Sequence, residues 1–115
     1  MAKSSRRAKL AAPQSDYTDP EGNVLTLRGS LTAPSRQKVA QALAGSPLSR
    51  EDAWQRAFEL LFEFLAVRWV IAGLPIERQR ELLARLRMAS PQERAWVRDT
   101  LREHCAAHFP DVDVP

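Results

Sequence analysis

His104 and His108 have the spacing in this chain that comes closest to a catalytic or metal-binding arrangement. Four residues apart on a helix, two imidazoles share one face and could bind the same metal ion. Two ligands do not complete a site, however, and no glutamate stands at the offset of a Glu-x-x-His di-iron motif. Histidines near the C-terminus of a helix also interact favourably with its dipole. We therefore predict that this pair packs and caps a helix, and that the protein holds no metal or other cofactor.

Cys105 is the only cysteine, so the chain cannot form an internal disulfide and gives no sign of an oxidising compartment. Arginines nearby on the same predicted helix could lower the pKa of its thiol. A nucleophile also needs a base and a group that orients the base, and neither is identifiable. The sequence has no glycine-rich phosphate loop and no recognisable serine, histidine and aspartate set. It therefore predicts a protein that is not an enzyme, with the cytoplasm as its default location.

The net charge of +3 comes from the N-terminus. Residues 1–15 are polar, basic and small and show no periodicity, which predicts a flexible arm. The basic residues of this arm are Lys3, Arg6, Arg7 and Lys9. These four charges exceed the net charge of the whole chain, so the remainder is slightly negative. The arm is therefore a direct candidate for binding nucleic-acid phosphates, and the alternative is a terminus that only aids solubility.

Three arginines recur at every fourth residue of the last predicted helix and form one ridge: Arg94, Arg98 and Arg102. Like charges at this spacing destabilise a helix, so an acidic partner should lie nearby. An internal partner is available in three carboxylates of another predicted helix: Asp52, Glu59 and Glu63. Plain solvation of the ridge is a further alternative. An external partner would be a phosphate group or an acidic protein surface.

Residues 36–56 have the outline of a helix-turn-helix unit, with a short helix, a glycine-containing turn and a second helix. A recognition helix needs an exposed polar face whose side chains reach base edges. Only Arg50, Gln55 and Arg56, at the start of the second helix, could serve in this way. We therefore favour an ordinary pair of packed helices.

Residues 57–76, AFELLFEFLAVRWVIAGLPI, are more apolar than a surface helix should be. On a helical wheel with about 100° per residue, apolar side chains cover about 260°, and Glu59 and Glu63 lie in a narrow polar stripe. These carboxylates and Arg68 each cost roughly 2.5–3.5 kcal/mol at the centre of a bilayer, which argues against a membrane span. We predict a long helix over about 49–72. It either forms the core of a monomer or also contributes its C-terminal half to a dimer or partner interface.

Arg68 lies almost opposite the polar stripe of this predicted helix. Its long stem can pack on apolar neighbours while the guanidinium reaches water. Alternatively, it pairs with a carboxylate across an interface and sets the register there. Interface energy concentrates in aromatic anchors. The residues predicted to form a protein interface are therefore Trp54, Phe62, Arg68, Trp69 and Trp96.

The predicted fold is a mainly α domain of four helices, orthogonal or bundle-like, with the long second helix at its centre. Turn residues and the alternation of Leu25 and Leu27 predict a short hairpin or single strand near 16–32. The first helix is predicted over about 35–44, the third from Pro75, and the fourth over about 91–109. Ser90, Pro91 and Glu93 predict a capping box with a first-turn proline at the start of the fourth helix.

This reading divides the chain into the arm, a single domain over 16–110 and a frayed acidic tail over 111–115. We expect such a domain to be a small adaptor, regulator or assembly factor that forms a homodimer or binds a protein partner through the apolar surface of its second to fourth helices. The alternative is a nucleic-acid-associated protein that uses the arm and the arginine ridge. No membrane association is expected.

Overall fold

A computed structural model describes residues 13–45 and 50–115 of the chain. Within these ranges the chain forms four helices and one four-stranded antiparallel sheet. The elements are, in order, β1 (Gln14–Thr18), β2 (Val24–Arg28), α1 (Ala33–Ala44), α2 (Arg50–Leu65), β3 (Ala66–Ile71), β4 (Leu74–Ile76), α3 (Gln79–Arg87) and α4 (Pro91–His108). The strands lie side by side in the order β1-β2-β3-β4. The predicted arm lies outside the described residues up to position 12, and its last two residues begin β1.

The predicted mainly α, bundle-like fold is wrong, because the described chain is a mixed α and β structure. The long second helix expected over 49–72 ends at Leu65, and Ala66–Ile71 continues directly as strand β3. That strand is rich in β-branched and aromatic residues, which pack well on a pleated surface. The density of apolar residues could not distinguish a helix from a strand, and of residues 66–71 only Ala66 and Trp69 are buried. Pro75, expected to begin the third helix, instead lies in the edge strand β4, where its missing N–H breaks no central ladder.

Two tight turns build the sheet. In the turn between β1 and β2, the carboxylate of Asp19 accepts hydrogen bonds from the backbone N–H groups of Glu21 at 2.8 Å and Asn23 at 2.9 Å. Strands β3 and β4 are joined by Ala72 and Gly73, whose φ angles of +52° and +79° match the type I′ hairpin turn. The backbone N–H of Ala72 donates to Oδ1 of Asn23 at 3.0 Å, so the two turns are tied together.

Strand β3 contains a bulge near its start, where it follows helix α2 directly. Arg68 pairs with Thr26 and Ala66 pairs with Leu27, which leaves Val67 as the extra residue. The extra residue reverses the alternation at this point, so that Ala66 and Trp69 both face the core. The chain can therefore pass from a buried helix into a buried strand position without a connecting loop.

The core lies between the helices and one face of the sheet. The sheet contributes Leu25, Leu27, Ala66 and Trp69, and Phe62 of α2 meets the Trp69 ring edge-on at a centroid distance of 5.7 Å. The helices contribute the apolar faces of α2, α3 and α4, including Ala57, Phe58, Leu61, Leu65, Leu82, Leu86, Val97 and Leu101. Helix α4 begins with the predicted capping box, in which Ser90 and Glu93 exchange side-chain and backbone hydrogen bonds.

The acidic C-terminal residues contact the helical layer. Val112 and Val114 pack against the edge of the core. Asp111 forms a salt bridge with Arg36 of α1 at 2.6 Å, and the backbone oxygen of Pro115 accepts a hydrogen bond from Nε of Arg102 at 2.8 Å. The segment predicted to be a frayed tail thus lies along α1 and α4.

Candidate interaction surfaces

Two of the five predicted interface residues, Phe62 and Trp69, lie in the core. Their side chains are 0% and 1% exposed, so a partner does not reach them in this conformation. The guanidinium of Arg85 lies 5.3 Å from the centroid of the Trp69 ring, which closes that side of the indole. These two residues stabilise the folded domain. The remaining predicted interface residues, Trp54, Arg68 and Trp96, are the ones that can form an interaction surface.

Trp54 is half-exposed, at 51%, and lies in a cleft of about 400 Å³ between α2 and α4, called here the Trp54 cleft. Its lining consists of Glu51, Asp52, Trp54, Gln55, Phe58, Arg98, Arg102 and Pro115. The α2 wall carries carboxylates, and the α4 wall carries two members of the arginine ridge. Arg98 lies over the Phe58 ring at 5.6 Å and forms no salt bridge with any described residue. Its guanidinium is therefore oriented by the Phe58 ring and forms no salt bridge within residues 13–45 and 50–115.

The third ridge residue, Arg94, belongs to a separate network around Glu59. Arg87 forms a salt bridge with Glu59 at 2.8 Å, Gln55 donates to the same carboxylate at 3.1 Å, and Arg94 donates to the backbone oxygen of Arg87 at 3.1 Å. Partial burial by itself would raise the pKa of the Glu59 carboxyl, but the hydrogen bonds from Arg87 and Gln55 and the positive charge of Arg94 hold it below its usual value. The charge of Arg94 thus acts on Glu59, but the salt bridge of this carboxylate is with Arg87 and not with the ridge.

Trp96 lies in a different cleft, of about 310 Å³, at the end of the sheet where the two turns meet α3 and α4. Ile71 and Asn23 line it from the sheet, and Arg85 and Glu93 line it from the helices, where they form a salt bridge at 2.7 Å. Trp54 and Trp96 line separate clefts and do not form one joint aromatic patch.

Arg68 is exposed on the face of the sheet opposite the core. Alternation along the strands places it on the same face as Asp16 and Thr26, with which it forms one row across β1, β2 and β3. We call this surface the open sheet face. Its residues are Gln14, Asp16, Thr18, Val24, Thr26, Arg28, Arg68, Val70 and Pro75. All of them are exposed or half-buried, and the buried residues of the helices pack on the other face.

His104 and His108 join the end of α4 to the first hairpin. His104 is fully buried, its Nδ1 lies 2.8 Å from the hydroxyl of Tyr17, and its Nε2 lies 2.9 Å from the backbone oxygen of Arg28. A carbonyl oxygen can only accept, so Nε2 donates and Nδ1 accepts from Tyr17. Burial lowers the pKa of the His104 imidazole. The described residues contain no group of three or more histidine, cysteine or carboxylate side chains that could hold a metal ion.

Cys105 is fully buried on α4. Burial raises the pKa of its thiol to about 11, so the lowering considered from the neighbouring arginines is contradicted. A thiol that stays protonated at neutral pH and is closed off from solvent does not act as a nucleophile.

Other predicted features fall partly or wholly outside the described residues. These are the four basic residues of the arm, Lys3, Arg6, Arg7 and Lys9, and residues 46–49, the turn of the possible helix-turn-helix unit. Sequence reasoning did not identify Asp16, Thr26, Val24 or Val70 as surface candidates. The alternation in VLTLR was the available signal for Val24 and Thr26, whereas the segment that contains Val70 is almost continuously apolar and was assigned to a helix.

Comparisons of the chain with protein-family models, with curated proteins and with solved structures find no match. None of the helices in the described ranges is both long enough and apolar enough to cross a bilayer. Evidence on function therefore comes from the surfaces themselves.

Proposed function

We propose that this chain is a non-enzymatic interaction module of the cytoplasm that binds a protein partner through the Trp54 cleft. The observation that carries the proposal is a half-exposed tryptophan in a cleft beside an oriented arginine that lacks a carboxylate partner among the described residues. Tryptophan and arginine are the residue types in which binding energy concentrates at protein interfaces. Adaptor, regulator and assembly factor are the roles such a module can have.

The charges of the cleft favour a peptide segment over a nucleic acid. Arg98 and Arg102 on the α4 wall attract a carboxylate, whereas Glu51 on the α2 wall repels a phosphate chain that follows the cleft. A partner segment with an apolar side chain for Trp54 and an acidic residue on the α4 side fits both walls. A basic residue on the α2 side would add a further contact.

A selection of displayed random peptides tests this proposal. Peptides are selected on the full chain, and their affinities are measured by calorimetry for the wild type, Trp54→Ala and Arg98→Ala. We expect recurring acidic and apolar residues, and a loss of at least about 2 kcal/mol in binding free energy with Trp54→Ala. Leu74→Ala is the matched control, because Leu74 is also an exposed large apolar residue, at 71%, but lies outside the cleft. Peptides that bind Trp54→Ala as tightly as the wild type would refute the proposal.

The second candidate is a nucleic-acid-associated protein. One observation favours it: Trp54 lies beside Arg98 and Arg102, and aromatic side chains next to cations are used to stack bases and hold phosphates. In this case the basic arm and the arginine ridge would bind single-stranded RNA or DNA.

A salt titration separates the two candidates. Phosphate binding should weaken steeply between about 50 and 200 mM salt, and replacement of Lys3, Arg6, Arg7 and Lys9 by glutamine should reduce the salt dependence. Binding of a labelled oligonucleotide that is unchanged in this quadruple variant and in Trp54→Ala would exclude the second candidate.

A further inference from the structure

The central row of the open sheet face has a charge arrangement that is complementary to itself. This row runs from Asp16 on β1 through Thr26 on β2 to Arg68 on β3, as the backbone register shows. The hydroxyl of Thr26 donates to Oδ1 of Asp16 at 2.6 Å. Neither Asp16 nor Arg68 forms a salt bridge with any described residue. A negative and a positive side chain therefore flank a neutral centre, separated by two strand spacings of about 4.8 Å each.

The adjacent row of the same face is uncharged. Register places Thr18, Val24, Val70 and Pro75 side by side across all four strands. Val24 and Val70, at the centre of this row, are half-buried by their neighbours, and the two edge residues are exposed. An uncharged row with β-branched side chains at its centre is the kind of surface that packs against another sheet at a distance of about 10 Å.

We propose that the open sheet face binds the same face of a second copy of this chain. A two-fold axis parallel to β2, running midway between the two sheets, places β1 of each copy over β3 of the other. Asp16 of each copy then lies opposite Arg68 of the second copy, so the single row forms two salt bridges. The uncharged row lies on itself, with Val24 against Val24.

The charges also select this orientation over its main alternative. A two-fold axis perpendicular to the strands would place β1 over β1, which opposes Asp16 to Asp16 and Arg68 to Arg68. Like charges facing each other in an interface are strongly unfavourable. The arrangement parallel to β2 pairs both charges of the central row and gives Arg68 the role of setting register across an interface. It leaves one like-charge contact, because Arg28, at the end of β2, faces Arg28 of the second copy at the rim.

The size of the face predicts a reversible dimer. Four strands of six residues or fewer span about 19 Å by 20 Å, which is below the area buried in stable complexes. We therefore expect dissociation in the micromolar range and a weaker dimer at high salt, because the charged pairs lie near the rim. This dimer is independent of the proposed function, since the open sheet face and the Trp54 cleft share no residue.

Charge reversal in the full chain tests the dimer by sedimentation equilibrium. Asp16→Lys opposes Lys to Arg68, and Arg68→Glu opposes Glu to Asp16, so each variant should dimerise at least about tenfold more weakly than the wild type. An equimolar mixture of the two variants should form a heterodimer, because both contacts then join opposite charges. A chain that carries both substitutions should regain the homodimer for the same reason.

Matched controls distinguish loss of the contact from a change in net charge and from misfolding. Glu21→Lys and Arg80→Glu change the charge by the same amounts at exposed positions outside the face, and they should leave the dimer unchanged. Circular dichroism and thermal unfolding establish that each variant is folded. Recovery in the mixture cannot arise from misfolded single variants.

Three outcomes would overturn the dimer. The wild type could remain monomeric up to millimolar concentration, its association could be insensitive to either reversal, or the mixture could fail to recover. A monomeric wild type whose thermal stability falls with Asp16→Lys but not with Glu21→Lys would assign the face to another segment of the same chain instead.

Discussion

The two faces of the sheet are made by the same strands, yet the helices cover only one of them. On the inner face, Leu25 and Trp69 are buried, and Trp69 contacts Phe62 of α2 and Arg85 of α3. On the outer face, Thr26 and Arg68 occupy the next positions along the same strands and remain at the surface. A single-residue alternation thus separates residues that hold the fold together from residues that are available to a partner.

The largest expected effect comes from breaking the inner face. Trp69→Ala removes a fully buried indole and its edge contact with Phe62, so we expect a loss of about 3–5 kcal/mol in the free energy of unfolding. Val70→Ala, at the adjacent position on the outer face, should cost less than about 1 kcal/mol. Urea denaturation of both variants measures the difference. Equal losses would show that the outer face is as tightly packed as the inner one.

A smaller effect should come from protonation of the buried His104 side chain when the pH is lowered. Burial lowers the pKa of His104, and the charge of the neighbouring His108 acts in the same direction. The hydrogen bond to the Arg28 carbonyl raises this pKa, but its effect is smaller than that of burial. The unfolded chain binds this proton near pH 6.5, whereas the folded chain binds it only at lower pH. Stability should therefore fall as the pH drops below about 6.5, by at most about 1.4 kcal/mol per pH unit.

Urea denaturation between pH 7 and pH 5 measures this effect. Glu59 should not affect stability between pH 7 and pH 5. Because the pKa of its carboxyl is lowered in the folded chain, the stabilisation that it provides is lost only below about pH 4.5. His104→Gln keeps a side-chain donor for the Arg28 carbonyl but does not titrate, so its stability should vary less over the same window. A wild type and a His104→Gln variant with the same pH dependence would contradict this assignment.

The smallest effect is a stabilisation of the hairpin that both faces share. Ala72 has a φ of +52°, a left-handed conformation that costs an L-residue roughly 1 kcal/mol and costs glycine little. Ala72→Gly should therefore raise the free energy of unfolding by a few tenths to about 1 kcal/mol, and the hydrogen bond to Asn23 should remain because it uses the backbone. Thermal unfolding checks the sign. A destabilised variant would mean that the turn does not adopt this conformation.

Local signals predicted part of this fold. Asp19, Gly22 and Asn23 marked the turn of the first hairpin, and Ser90 with Glu93 marked the start of α4. In each case the residues that give the signal are the residues that form the structure, so no distant contact was needed.

Strand β3 could not be predicted in the same way. Residues 66–71 are apolar on almost every position, which fits a buried helix as well as a buried strand. What decides between them is pairing with β2, which lies about forty residues earlier in the chain and offers Leu25 and Leu27 on one face. The error also concealed the open sheet face. Arg68 was recognised as an anomaly on a helix, but only the strand places it in a row with Asp16.

Methyl NMR of the full chain as a function of concentration tests the central contrast most directly. Val24 and Leu25 are neighbours on β2 and face opposite sides of the sheet, as do Val70 and Trp69 on β3. We expect the methyl signals of Val24 and Val70 to shift as the concentration rises through the micromolar range, whereas those of Leu25 and Leu27 stay in place. Two results would contradict this expectation: methyl signals of Val24 and Val70 that do not change with concentration, or shifts confined to the residues of the Trp54 cleft.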